Sequence, residues 1–251
     1  MNSILVSSIV FTCVFAAALA GMALRRALPE GHVSSDAKDV VRLGTGLIAT
    51  MAALVLGMLV SDAKSSYDAR KNEVAQLSSG VVLMDGLLAK YGPETGEIRA
   101  EFRQLVQAGI DRVWPSQASR QAELRPTDKG DILSDRLLAL VPANAAQSSI
   151  KAQIIPMITE LRQTQWLLYV KSEQQAIPIP LLVVLVVWLA AIYVSFGLFA
   201  PPNPTVVVTL ALSALAVSSA ILIILEMYTP FRGILRISPR PILDALSQMG
   251  H

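Results

Sequence analysis

The sequence is poor in charge. Of its 251 residues, 53% are hydrophobic and only 16% are charged, whereas an ordinary soluble domain carries about a quarter charged residues. The deficit is concentrated in three windows without any Asp, Glu, Lys, Arg or His, namely residues 2–24, 43–61 and 179–225. The third window is long enough for two membrane spans of about 20 residues each. The sequence therefore predicts four transmembrane helices.

Other scarce residue types exclude several classes of function. The single cysteine, Cys13, cannot form a disulfide within the chain or begin a thiolate metal site. Neither of the two histidines, His32 and His251, lies near a cluster of Asp, Glu or Cys residues with ligand spacing. No phosphate-binding loop, dinucleotide fingerprint, nucleophile elbow or zinc-protease motif is present, and the net charge is only +2. We therefore expect no enzymatic activity, no cofactor, no metal and no nucleic-acid partner.

The apolar windows divide the chain into four parts. Residues 1–61 hold the first transmembrane pair, with spans at about 3–24 and 44–61, and residues 179–226 hold a second hairpin, with spans at about 181–199 and 205–225. Between them, residues 62–178 repeat apolar positions with the period of a helix and show no alternating run, which predicts a helical soluble domain. Residues 227–251 form a proline-broken tail. The first apolar run is either a signal peptide, since Ala18-Leu19-Ala20 before Gly21 resembles a cleavage site, or a retained span. We favour the retained span, since no basic residue precedes the run and it exceeds a signal-peptide core.

The second span carries a stripe of small residues at helical spacing. The stripe and the larger side chain beside it form the candidate pore-lining or helix-packing set: Gly46, Thr50, Ala53, Leu54, Gly57 and Ser61. Small residues let another helix approach closely in lipid, and small or apolar residues also line pores that gate by dewetting. No ionisable residue lies inside the spans, which argues against a proton-coupled transporter. Both interpretations of the stripe stay open.

Basic residues predict the orientation in the membrane. With four spans, the soluble domain and the tail share one side, where eight basic residues lie near the membrane, against four in the loop between the first two spans. Because basic residues accumulate in cytoplasmic loops, the soluble domain is expected in the cytoplasm.

The residues around the second span resemble the bacterial bestrophin-like domain family. The similarity in residues 24–70 includes a leucine-proline before a histidine, acidic positions in the loop, and the pattern that follows the span. At the end of the fourth span it includes an acidic residue followed by Pro-Phe-x-Gly. The family-motif residues are Pro29, His32, Asp36, Asp62, Lys64, Asp68, Glu226, Pro230, Phe231 and Gly233. This chain departs from the pattern at Tyr228-Thr229, where the family usually has an aspartate before the Pro-Phe pair.

The resemblance implies an all-α membrane protein with bestrophin-like architecture. Bestrophins are pentameric anion channels whose second span lines the pore. By analogy we expect an oligomeric ion channel, anion-conducting in bestrophins, whose second span lines the pore. We expect a homo-oligomer, a pentamer of identical chains, in the lipid bilayer of a bacterial inner membrane. The alternative is a non-conducting membrane scaffold or regulatory module whose soluble helices bind a partner. Likewise, Pro230–Gly233 is either a gate or interface element, or a helix stop with Phe231 anchored at the membrane surface.

Overall fold

The fold is all-helical in the part of the chain that the structure describes. This computed structural model describes residues 2–27, 35–115, 128–174, 179–201, 203–231 and 233–249, with only the backbone described for residues 35–37 and 172–174. These ranges hold no strand. Their α-helices are α1 (Ser3–Ala27), α2 (Ser35–Tyr91), α3 (Gly96–Val113), α4 (Lys129–Leu138), α5 (Ala145–Gln174), α6 (Ile179–Phe199), α7 (Pro204–Met227) and α8 (Arg240–Gln248).

Four of these helices, α1, α2, α6 and α7, are long and apolar enough to cross a membrane. The prediction of an all-α membrane protein with four spans is therefore confirmed. Each spanning helix contains one predicted span, because a continuous apolar run of this length leaves the backbone no polar alternative to helical hydrogen bonds in lipid.

Helix α2 is the longest element, at 57 residues. It begins nine residues before the predicted helix start at residue 44, and it ends where Gly92 takes a φ of 131°, a conformation open to glycine but not to other residues without strain. Just beyond, the buried Thr95 hydroxyl lies 2.5 Å from the carbonyl oxygen of Leu88 and 2.8 Å from that of Gly92. The hydroxyl can donate to the Leu88 carbonyl, which the end of a helix leaves without a partner, because the Thr95 N–H already donates to the Gly92 carbonyl over 3.2 Å.

The C-terminal tail contains a helix that the sequence interpretation did not predict. Helix α8 buries Ile242, Ala245 and the following Met249 on one side. The prolines of this tail were interpreted as breaks, but Pro241 lies in the first turn of α8. At that position the absent N–H is not needed for a helical hydrogen bond, so proline favours the helix start.

The chain forms two compact units. The membrane unit comprises Met1–Ser66, Ala176–Thr229 and Gly233–Leu235, and the helical unit comprises Tyr67–Gln175, Pro230–Arg232 and Arg236–His251. In the membrane unit, α1 packs closely against α6 and α7 around a core that includes Val14, Ala18, Leu185, Ile221 and Leu225.

The helical unit has its own core. It includes Met84, Leu88, Leu133, Leu137 and Ile154, all fully buried. An ion pair beside this core joins two helices, because Arg99 Nε and Nη2 donate to the two carboxylate oxygens of Asp85 over 2.9 and 2.7 Å. This bidentate hydrogen bond raises the pKa of Arg99.

Candidate functional site

The second span presents two different faces. Toward the core of the membrane unit it buries Ala52, Leu59 and Ala63. The whole candidate set lies on the opposite, exposed face: Gly46, Thr50, Ala53, Leu54, Gly57 and Ser61. Leu54 is the most exposed of the large side chains on this face, at 75%. The small stripe is therefore not a packing seam against the other described helices of this chain.

The glycines of this face have open space beside them. A Cβ added at Gly44, Gly46 or Gly57 would meet no atom within 4 Å. The Thr50 hydroxyl donates to the carbonyl oxygen of Leu47 in the preceding turn, over 2.8 Å. Its donor is thus satisfied within the helix, which lowers the cost of placing a hydroxyl on an apolar helix face.

The close helix contact of the membrane unit lies elsewhere. A Cβ at Gly21 of α1 would overlap the carbonyl oxygen of Val194, and a Cβ at Gly197 of α6 would overlap that of Ala18. Small residues in membrane helices allow backbones to approach each other this closely. Sequence reasoning missed this seam, although the small residues Ala18 and Gly21 stand one turn apart in the first span.

A family-motif residue at the end of the second span contacts a residue at the end of the fourth span in the membrane unit. Asp62 follows the second span, and its Oδ2 accepts a hydrogen bond of 2.7 Å from the hydroxyl of Tyr228, which follows α7. Tyr228 is buried, and its burial, reinforced by the hydrogen bond to Asp62, raises the pKa of its phenol. Tyr228 stands in the short stretch where this chain departs from the family pattern, so the departure supplies a partner for Asp62.

A second set of hydrogen bonds holds the segment that follows α7 against the end of that helix. The Glu226 side chain is only 4% exposed, and its Oε2 accepts hydrogen bonds from the backbone N–H groups of Ile234 and Leu235, the latter over 3.3 Å. Gly233 has a φ of +83°, and a Cβ there would overlap the Glu226 carboxylate. The pairing of an acidic residue with a glycine seven positions later therefore has a steric and a hydrogen-bonding reason.

The Pro-Phe pair of the same motif belongs to the helical unit. The Phe231 ring is buried with Val74, Leu168 and Ile237, and it meets the Trp114 ring edge-on, at a centroid distance of 5.7 Å. Trp114 Nε1 donates to the Ile237 carbonyl oxygen over 2.9 Å, and the Ile237 N–H donates to the Pro230 carbonyl oxygen over 2.8 Å. The interpretation that anchors Phe231 at a membrane surface therefore needs correction, because its ring lies inside a protein core.

The remaining motif residues lie on α2 or outside the described residues. Lys64 is exposed and Asp68 half-buried, one turn apart on α2. Asp36 lies in the first turn of α2, where only the backbone is described, and Pro29 and His32 lie outside the described residues. Within the described ranges, no group of three His, Cys, Asp or Glu residues is placed to hold a metal ion.

Comparison with known proteins identifies the family. The family model described as Bestrophin-like domain matches residues 12–242. Neither the curated proteins nor the solved structures gave a match. The family match covers most of α1, all of α2, α6 and α7, and the motif at the end of α7. The chain belongs to the Bestrophin-like domain family.

Proposed function

We propose that this protein assembles into an oligomeric ion channel and that its second span lines the pore. The observation that carries the proposal is the uncovered small face of α2, from Gly46 to Ser61. A pore wall must face away from its own subunit and leave room on the axis. Family membership gives a coarse reason to expect channel-like function, and the exposed face supplies the surface that such a function needs.

The residues beside the small face of α2 favour a position of that face on the lumen over a position in lipid. Met51 and Met58 follow Thr50 and Gly57 directly, and both are large, apolar and exposed. Successive side chains on a helix point about 100° apart. The two methionines therefore form a flank distinct from Thr50 and Gly57, and this flank suits lipid or a neighbouring copy. Leu54 is the largest member of the candidate set, and it lies at the border between the small face and this flank, because it is three residues from Met51 and four from Met58. In a ring of copies it would form an apolar constriction, of the kind that gates by dewetting.

The absence of fixed charge between residues 43 and 61 leaves selectivity to pore width, hydroxyl groups and backbone dipoles. We propose a homo-oligomer, a pentamer by analogy with bestrophins, and anion conduction on the same analogy. The proposal includes no enzymatic role.

We further propose that the protein lies in a bacterial inner membrane with the helical unit in the cytoplasm. The support is the excess of basic residues near the membrane on that side, eight against four. Modification of Lys64 by a membrane-impermeant amine reagent in intact cells would contradict this orientation.

The competing function is a non-conducting module whose soluble helices bind a partner. It is favoured by large apolar side chains left exposed along α4 and just after it, namely Ile132, Leu138 and, most of all, Val141 at 86%. Exposed apolar groups can mark protein-binding surfaces. On this view the small face of α2 packs against another membrane protein rather than surrounding a pore.

Subunit counting and current recording separate the two functions. The full chain is purified, its stoichiometry is measured by native mass spectrometry, and the same sample is fused into planar bilayers. A ring-forming oligomer with single-channel currents supports the channel. A monomer or dimer without conductance refutes it and leaves the non-conducting module.

Cysteine accessibility tests the pore wall residue by residue. Cys13 is exposed, so the variants are made in a Cys13→Ser background. We predict that Thr50→Cys and Gly57→Cys react with a charged, water-borne thiosulfonate and that the reaction blocks the current. The matched controls Met51→Cys and Met58→Cys lie at the same depths on the apolar flank, and they should not react, because a thiol in lipid does not ionise. Equal reactivity at both pairs, or reaction of the methionine positions alone, would exclude the proposed pore wall.

A further inference from the structure

The helical unit contains a cavity of about 710 Å³. A volume of this size lies within the range of small-molecule sites. Its walls come mainly from one side of α3, one side of α5 and the middle of α2. The apolar lining includes Leu77, Phe102, Val106, Trp114, Ile158 and Leu161.

Gly109 gives separate evidence of open space. It lines the cavity from α3, and a Cβ added there would meet no atom within 4 Å. The cavity is partly open to the surface, since Leu138 and Trp166 in its lining are each about half exposed. Its apolar walls offer water few hydrogen-bonding partners, and they lack dispersion contacts where nothing fills the space. An apolar occupant would restore those contacts.

Polar groups meet at one part of the lining, where α4 begins. Arg162 of α5 forms an ion pair with Asp131 of α4, and its Nη1 lies 3.4 Å from the Ser134 hydroxyl. Arg112 and Asp128 also line the cavity, so its charged groups comprise two cations and two carboxylates. A charged ligand group would have to compete with the Arg162–Asp131 pair. An uncharged hydroxyl can donate to a carboxylate or accept from a guanidinium without breaking the pair.

We propose that this cavity binds an uncharged, mainly apolar ligand with a single hydrogen-bonding head, of the class of long-chain alcohols and monoacylglycerols. The apolar body lies along the α3 and α5 walls, and the head meets Asp131, Ser134 and Arg162. This site lies outside the second span and does not depend on the proposed channel function, so either proposal can fail alone.

Photolabelling of the full chain in phosphatidylcholine nanodiscs tests the site. The probe is a long-chain alkan-1-ol that carries a diazirine on its chain, and the labelled residues are located by peptide mass spectrometry. We expect saturable labelling of peptides from α3 and α5 that contain Val106 and Ile158. An excess of the unmodified alkanol should compete with this labelling, whereas labelling of spanning helices by probe in the bilayer should not saturate. Absence of competition in the unmodified protein would overturn the proposal.

Gly109→Phe fills the cavity from a position with room for a side chain. It should lower labelling of α3 and α5 about tenfold or more, equivalent to a tenfold loss of affinity. Gly86→Phe is the matched control, because Gly86 also has no neighbour within 4 Å but does not line the cavity. Unchanged labelling in a folded Gly109→Phe protein would overturn the site. Stronger labelling by a diazirine fatty acid of the same length would overturn the assignment of an uncharged ligand.

Discussion

Replacement of Gly233 by alanine tests the hydrogen bonds between Glu226 and the backbone that follows Gly233. Two costs add at this position. An alanine at φ +83° is strained by about 1–2 kcal/mol. Its Cβ also overlaps the Glu226 carboxylate, which must move away from the N–H groups of Ile234 and Leu235. Hydrogen bonds to a charged group contribute about 1.5–3 kcal/mol each. With partial relaxation, we predict that Gly233→Ala lowers the free energy of unfolding by about 3–5 kcal/mol.

A double-mutant cycle separates the two costs. In a Glu226→Ala background the overlap is absent, so Gly233→Ala should cost only the backbone strain of about 1–2 kcal/mol. The expected coupling between the two positions is therefore about 2 kcal/mol or more. Gly86→Ala is the control, because it lies inside α2 with open space around it, and it should stabilise the protein by about 0.5–1 kcal/mol.

The free energies are measured by titrating the detergent-solubilised protein with dodecyl sulfate and following helix loss by circular dichroism. A Gly233→Ala protein within about 0.5 kcal/mol of the parent would refute the steric reasoning. A cycle that is additive within about 0.3–0.5 kcal/mol would refute the contact with Glu226.

Two further predictions concern the membrane unit. Gly197→Ala should destabilise this unit by about 1–3 kcal/mol, because the added Cβ overlaps the Ala18 carbonyl oxygen. Gly46→Ala, at a position with open space, should not destabilise it. Equal effects of the two substitutions in the same titration would contradict the close contact between α1 and α6. Tyr228→Phe removes the hydrogen bond to Asp62 and should cost about 1 kcal/mol at neutral pH. Because the folded-state pKa of Tyr228 is raised, its contribution is complete below the unfolded value of about 10 and declines as the pH rises toward the folded value. The difference between parent and Tyr228→Phe should therefore shrink in alkali, and a constant difference would contradict the assignment.

The spans were predictable because their signal is local. A run such as residues 179–225 holds no charge, and lipid leaves the backbone of each half no choice but a helix. Predictions were weaker where short-range signals compete. Helix α8 was missed, because a proline predicts a break unless its position in the first turn of a helix is known.

The candidate site was predictable only in part. Periodicity placed Gly46, Thr50 and Gly57 on one face of a helix, and the structure leaves that face uncovered by the described helices. Whether the face lines a pore stays a prediction. The same kind of pattern gave no indication that Gly21 and Gly197 form the close contact within the chain. A small residue shows that another helix can approach at that position, but it does not identify that helix.

The sequence by itself determined the membrane class, the number of spans and the family, since each depends on composition or on residues close together in the chain. Tertiary structure alone decided which partners the motif residues contact. Asp62 reaches Tyr228 across 166 positions of sequence, and Glu226 accepts the N–H groups beyond Gly233 because the turn at φ +83° brings the chain back to it. Such contacts depend on how helices pack and how a loop closes, and the hydrophobic period of a helix carries no information on either.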